Sequence, residues 1–477
     1  MRMCDSHRLK GWWFLPNAPE VRRPGFLMWN PQSGAELELI GGLQGPGCDN
    51  ADAGLAGGEA AEFGEGTVYG EIDGGKRVTL WDAERRRYTT DLVGELREEY
   101  WCSSWVCVGA HISSADQQSL SNFRVVVDDL YYLTNDSRFA APRWAKIEGV
   151  EDAGEHKPDG SFLAPYVLPV VGGVRADVAT GATSSASYSV FTNVTRPWIS
   201  EATEAMPDLK LDFMIRRTRA GPSITIGVDT WTRIEPTSSP ASARDLLGEA
   251  QPLLALMRLS TYGVCGAASM SAVCDGNEVS LLSHLGSPSS PESPATANVI
   301  FTFADVSLES FMRTWERLGH TPQARYARDM TVGQIGHSPV MVEEHISQVL
   351  GSAEGFQRWC LGGGKGPSLN QRLLDLLDRL SVPIQTQIGL DERAEKWATW
   401  AVWARNNVDH GGAEKHRPVA DFYHFKVIAD SVRLVTYLVA LTEFGVDNET
   451  IEEALRNHPR LSVIAKRCSQ IADLPSV

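Results

Sequence analysis

Several large protein classes are excluded by what this chain lacks. No uninterrupted apolar run reaches the roughly 18 residues that a membrane-spanning helix needs, so no membrane partner is expected. The opening Met1-Arg2-Met3-Cys4-Asp5-Ser6-His7 has no apolar stretch behind it. A secretory leader is therefore not expected, and a cytoplasmic location is. Eight cysteines are scattered through 477 residues without one C-x-x-C pair, and Cys102 with Cys107 has no matching His or Cys knuckle. Such cysteines read as small buried hydrophobes in a reducing compartment, with no metal site. Cationic charge is also short. A formal net charge of -16 excludes a protein that coats nucleic acid nonspecifically, because that binding needs clustered cations.

What is present fits a soluble globular protein of two or three domains, with 43% hydrophobic and 22% charged residues. The charge is unevenly spread. Residues 391–477 hold 11 Lys and Arg against 13 Asp and Glu, a balance of only -2, and the first 390 carry the other -14. The C-terminal segment thus permits a local RNA contact that the acidic remainder does not.

The expected fold class is α+β, with β-rich N-terminal domains followed by an α-helical bundle. Within 1–140, Leu37 and Leu39 alternate with Glu36 and Glu38 in the period-two pattern of a half-buried strand. Val68–Ile72 and Val78–Trp81 flank a glycine-containing segment and read as a hairpin. Trp105–Ala110 and Phe123–Val127 are further strands, and the Gly/Ala-rich acidic stretch 41–66 reads as a long surface loop. A second β-rich region, 141–317, has strands at Ser187–Thr192, Leu209–Ile215 and Ile224–Ile234, a helix from Ser242 to about Leu259, and a Pro/Ser-rich loop at 286–294. The third region, 318–477, has four helices at Val340–Trp359, Leu369–Leu380, Asp391–Val408 and Phe422–Phe444. Breaks separate them at 362–367, 382–390 and Gly411-Gly412, and tail helices follow at Asn448–Arg456 and Leu461–Ala472.

Chemistry concentrates in Ala404-Arg405-Asn406-Asn407-Val408-Asp409-His410-Gly411. Arg405 lies near the end of a helix whose apolar face is Trp397, Ala401, Ala404 and Val408. Five residues turn a continuous helix by about 140°, which would point Arg405 and His410 apart. Asp409-His410-Gly411-Gly412 has a helix-terminating composition, so His410 is expected where the helix unwinds and its ring can turn towards the guanidinium. Metal-free RNA cleavage needs a proton carrier near neutral pKa, as histidine is, and a permanent planar cation for the phosphate, as arginine is. Asn406 is suited to orient either partner. Taken alone, R-x4-H is a weak pattern, met far more often by an Arg in a surface ion pair and a His capping a helix.

The string Arg405-Asn406-Asn407-Val408-Asp409-His410-Gly411-Gly412, late in a four-helix pattern and before a long apolar helix, resembles the HEPN superfamily. More narrowly it resembles the C-terminal domain of ApeA-like proteins. Gly11-Trp12-Trp13-Phe14-Leu15-Pro16, Pro24-Gly25-Phe26-Leu27 and Glu36–Gly42 resemble the ApeA N-terminal domain, and Gly70–Ile72 leading to Val78–Trp81 continues that likeness. The resemblance implies an anti-phage, abortive-infection protein. Its HEPN homodimer would cleave RNA, tRNA included, without metal or cofactor, on a phage-derived signal. By position the family's R-N-x-x-x-H motif falls on Arg405, Asn406 and His410, and Glu354 on the first bundle helix is carried over as a supporting polar residue.

Other features carry plainer readings. Gly362–Ser368 fails the phosphate-loop spacing and reads as an inter-helix loop. His416 and His424 lack a third ligand for zinc. Trp397, Trp400 and Trp403 read as packing rather than base-stacking residues, and Lys76-Arg77 with Arg85-Arg86-Arg87 as a solvated turn rather than a phosphate contact. Two rival functions stand beside the nuclease. One is a catalytically silent HEPN module for RNA binding or dimerisation; the other is a sensor of a phage ligand that signals through its N-terminal part to a separate effector.

Overall fold

The computed structural model describes residues 6–31, 33–43, 65–90, 96–127, 130, 133, 145–146, 166–167, 174–178, 188–192, 209–220, 223–234, 240–263, 265–283, 299–335, 341–409 and 422–474. The expected loop at 286–294, most of that at 41–66, and Cys4 and Cys48 lie outside them.

Six N-terminal strands close on themselves. They are β1 (His7–Leu15), β2 (Ala18–Asn30), β3 (Gly34–Ile40), β4 (Glu65–Ile72), β5 (Lys76–Thr90) and β6 (Leu96–Ser103). Neighbours run β5-β4-β1-β2-β3-β6, and β6 pairs back to β5, which makes an antiparallel barrel. The period-two pattern fixes which side chains enter it. Leu37 and Leu39 are fully buried, whereas Glu36 between strands β2 and β6 is exposed. Trp13, Trp29 and Trp101 fill the interior. Gly70 is required there, because a Cβ would sit 2.4 Å from the Trp13 ring. The β4–β5 hairpin turns through Asp73-Gly74-Gly75, with Gly74 and Gly75 at φ 83° and 72°, a region that only glycine enters at no cost.

The triple-arginine run is not a turn. It lies in β5, with Arg85 inside the barrel, its Nη1 3.3 Å from Glu99 Oε1, while Glu99 Oε2 accepts the Leu43 N–H at 2.9 Å. Arg86 pairs with Glu84, and the Arg87 guanidinium lies over the Tyr100 ring. The alternation of a strand hides one of three neighbouring cations, which a count of charges cannot reveal.

The sheet continues past the barrel. The first half of β5 also pairs with β7 (Trp105–Val108), and from there the order runs through β16 (Asn277–Ser283), β15 (Ala267–Cys274), β8 (Leu120–Val127), β14 (Ser223–Ile234) and β13 (Leu209–Ala220). The sheet is thus unbroken across residue 140. Ser103 stands where β6 gives way to β7, donating to the Trp81 carbonyl at 2.6 Å and accepting the Trp105 N–H at 3.0 Å. Two small antiparallel pairs complete the strands among the described residues, β9 (Ala145–Lys146) with β10 (Tyr166–Val167) and β11 (Val174–Val178) with β12 (Tyr188–Thr192).

Helix α1 (Ala243–Thr261) packs on β8. It begins at a capping box, in which Ser242 accepts the Asp245 N–H and the Asp245 side chain accepts the Ser242 N–H. Nearly every side of it is buried. Its far end meets the helical region: the Leu259 carbonyl accepts the Tyr437 hydroxyl at 2.6 Å, and the Tyr262 ring packs edge-on against Tyr437. That carbonyl is one of the four a helix C-terminus leaves unpaired, so the contact satisfies two buried groups at once. Burial pushes the Tyr262 hydroxyl up to about 12 and raises that of Tyr437, so both stay protonated and Tyr437 remains the donor.

The helical region begins with α2 (Leu308–Leu318) and α3 (Pro322–Gly333), neither of which the sequence reading separates. Then come α4 (Val342–Gly355), a π-helical turn Phe356–Cys360, α5 (Leu369–Asp378), α6 (Val382–Gln387), α7 (Ala394–Asp409), α8 (Phe422–Glu443), α9 (Asn448–Asn457), α10 (Pro459–Cys468) and a 3-10 turn Ser469–Asp473. The expected break at 382–390 holds the short helix α6. Six residues are too few to show a 3.6-residue period, and its proline sits in the first turn, where a missing N–H costs nothing.

Helix α8 is the hub, in contact with α3, α4, α5, α7, α9 and α10. Buried among these neighbours is Asp430, 0% exposed, with Arg433 Nη2 at 3.0 Å, Lys426 Nζ at 3.7 Å and the Arg467 guanidinium of α10 hydrogen-bonded to Oδ2. Removing one partner of such a cluster leaves uncompensated buried charge. Asp430→Ala is expected to cost about 3–5 kcal/mol in urea unfolding. A loss below about 1 kcal/mol would show that solvent reaches the cations and that the cluster does not brace α8 to α10.

Candidate active site

Helix α7 presents its core face through Trp397, Ala401 and Ala404, all buried. Trp397 Nε1 donates to Ser431 Oγ of α8 at 2.8 Å, Trp400 packs edge-on against Trp403, and Trp403 stacks on Phe425. The three tryptophans are core, as their spacing predicts. Arg405 follows Ala404 at the flank of this face, and its side chain is 33% exposed. Asn406, one step further round, is exposed. His410 follows α7 directly in sequence and lies outside the described residues, as does His416; His424 lies on α8 with its ring 6.0 Å from that of Trp400.

The Arg405 guanidinium reaches across to α4, where Nη1 donates to Glu354 Oε2 at 2.7 Å. Glu354 is 29% exposed. An ion pair this open to water is worth about 1 kcal/mol or less, so its consequence is geometric: it fixes the direction of a long cation. The structure therefore brings Arg405 and Glu354 together and leaves Asn406 at the surface beside them.

Just beyond Glu354 the helix changes register. The Leu361 N–H bonds to the Phe356 carbonyl five residues back, the mark of a π turn. Phe356, Gln357 and Cys360 point inward, and Arg358 and Trp359 face outward. Gln357 anchors the turn by accepting from Arg372 Nη1 at 2.5 Å and donating to Asp375 Oδ2 at 3.1 Å. Arg372 in turn donates to the Gly364 carbonyl at 2.8 Å, which assigns the glycine-rich loop a structural job between helices. Burial pushes the Cys360 thiol up to about 12, and it donates to the Ala324 carbonyl, so it is not a nucleophile. Glu354, Arg358 and Trp359 form one wall of an open groove of about 530 Å³ whose other wall is α3. Sequence reasoning missed this groove. A π turn leaves no periodic signal, and an exposed aromatic looks the same in a sequence as a buried one.

Two family comparisons bear on this architecture. The model for the Apea-like HEPN domain matches residues 331–450, from the end of α3 into α9, with Glu354, Arg405 and His410 inside it. The helical region thus makes this a HEPN-domain protein. The model for ApeA N-terminal domain 1 matches residues 8–156, which take in the whole barrel. The chain belongs to the ApeA-like proteins with a C-terminal HEPN domain. No curated protein and no solved structure matches it.

If the pair orients rather than braces, Glu354→Ala should lower stability by about 1 kcal/mol or less. Chemical denaturation reads this directly. A loss above about 3 kcal/mol would make Glu354 a structural brace between α4 and α7.

Proposed function

We propose that this protein is a metal-independent endoribonuclease of an anti-phage, abortive-infection system, cutting RNA through Arg405, Asn406 and His410. The observation that carries this reading is the Arg405–Glu354 pair, which holds the motif's arginine partly exposed, on a glutamate that lines an open groove. An intact Arg–Asn–His set with its guanidinium partly open to solvent favours the nuclease, because a purely structural bundle has no need of all three.

The chemistry follows from the residue types. Arg405 binds the scissile phosphate and offsets charge growing on its non-bridging oxygens. The ribose 2'-hydroxyl attacks phosphorus, its proton passing to a histidine, and the 5'-oxygen leaves with a proton returned by an imidazolium. The products are a 2',3'-cyclic phosphate and a 5'-hydroxyl. One imidazole serves poorly on both sides of an in-line displacement, so the active form is a homodimer that contributes two motifs to one cleft. The near-neutral balance of residues 391–477 favours that approach, and in such a dimer the acidic N-terminal parts would splay outward. The barrel and its extended sheet act as the sensor, holding the nuclease to a low basal rate until a phage-derived activator is met in the cytoplasm. Transfer RNA is the first substrate to try.

Purified protein incubated with total RNA or tRNA in excess EDTA should leave cyclic or 3'-phosphate ends. Arg405→Ala and His410→Ala should each reduce cleavage at least a hundredfold with folding intact. Wild-type rates in both variants would overturn the assignment, and a Mg²⁺ requirement with 3'-hydroxyl ends would indicate a metal-dependent nuclease.

The shared cleft has its own test. With exchanging subunits, an excess of His410→Ala chains should depress wild-type activity beyond dilution. Activity proportional to wild-type chains, with a monomeric mass by light scattering, would exclude it.

A further inference from the structure

The groove beside Glu354 contains side chains that the proposed cleavage step does not use. One wall is α3, which turns Ala324 and Thr331 to the core and lines the groove with Tyr326, Ala327 and Met330. The other is the junction of α4 with the π turn. The walls lie close because position 355 is glycine: a Cβ there would stand 3.3 Å from that of Ala327, and Thr331 Oγ1 is hydrogen-bonded to Ser352 Oγ at 3.0 Å.

Three features of this groove point to a ligand. Tyr326 is 69% exposed and makes no ring contact with another described aromatic residue, so packing gives no reason for a large flat ring there. The Arg358 guanidinium lies over the Trp359 ring, 4.6 Å from its centre, and the Arg358 Nε–H is shut off from solvent without a hydrogen-bond partner. Glu354 in the same wall holds Arg405. An open aromatic face on Tyr326 and a cation in the same groove suit a nucleobase with its attached phosphate. The volume of about 530 Å³ falls within the roughly 300–1,000 Å³ range of sites for small organic groups.

We propose that this groove is a base-binding subsite, in which Tyr326 stacks a base of single-stranded RNA while Arg358, backed by the Trp359 ring, engages its phosphate, next to the nucleotide held by Arg405. The inference rests on the nuclease reading for the identity of the ligand but uses different residues. Stacking accepts any base, because each has a π face, whereas a duplex keeps its bases unavailable. The site therefore selects single-stranded segments, such as loops and ends, without selecting sequence. A second copy of this chain is the weaker occupant, since a self-associating face would cover Arg358 and Glu354 together with the rings and desolvate both charges.

The test uses the full-length protein and a short fluorescein-labelled single-stranded RNA with 2'-O-methyl riboses, which can bind but cannot undergo 2'-hydroxyl attack. By fluorescence anisotropy, Tyr326→Ala should weaken binding about tenfold, the loss of one stacked base, and Tyr326→Phe should stay within about twofold of wild type. Arg358→Gln should weaken binding and flatten its salt dependence. Tyr326→Ala within about twofold of wild type, or a wild-type protein that binds neither this probe nor its all-ribose counterpart, overturns the subsite. So does an affinity loss that light scattering traces to dissociation into monomers, which would assign the groove to a second copy. The two readings separate cleanly. Binding that depends on Tyr326, with no cleavage of the all-ribose RNA, keeps the subsite and removes the nuclease. Cleavage lost in Arg405→Ala but unchanged in KM for Tyr326→Ala does the reverse.

Discussion

The helical region depends on one constraint: α8 is apolar on almost every side and must be covered all round. Its buried residues run from Phe425 to Leu441 with few interruptions, and a helix of that kind is stable only as the centre of a bundle. Covering it decides where α4 and α7 sit, and so decides that Glu354 and Arg405, 51 residues apart, come within hydrogen-bond distance. The only carboxylate of its buried stretch, Asp430, is tolerated because three cations from two helices surround it.

The same helix links the two parts of the molecule. Tyr437 of α8 closes an open carbonyl at the end of α1, and α1 lies against β8 of the large sheet. A change in that sheet therefore has a route of packed side chains to the helix on which α4 and α7 rest. In the other direction, Glu443 at the end of α8 accepts from Arg317 of α2 and from Arg379 just past the end of α5, which ties the segment before the family-matched domain to the bundle. For a protein proposed to stay silent until triggered, this is where restraint and release have a physical path.

Much of the architecture is legible in the sequence wherever a period is long and clean. The alternation around Leu37 and Leu39, the hairpin at 68–81, α1 and the four long helices are found within a few residues of where they are expected. Strands β1 and β2 escape such a reading, because β2 carries two prolines and two arginines that mask its alternation. Barrel closure is equally invisible, since the β5–β6 pairing that seals it is a contact between strands and not a property of either. At the site, Arg405 and Asn406 are marked by motif, and the tryptophans of α7 by spacing, but the role of Tyr326, Arg358 and Trp359 is not marked at all.

The sequence by itself determined which residues are apolar at which period, and hence many of the strands and the longer helices, the core face of α7 and the place of Arg405 and Asn406 beside it. These are local properties, written in spacing. Only the tertiary structure decided that Arg85 faces a barrel interior, that Glu354 is the partner of Arg405, and that a π turn rotates Arg358 and Trp359 towards Tyr326 across a groove. Each of these depends on which surfaces meet once α8 is covered and the barrel is closed. Partners distant in the chain leave no periodic trace, because the free energy that joins them comes from burial shared among many side chains.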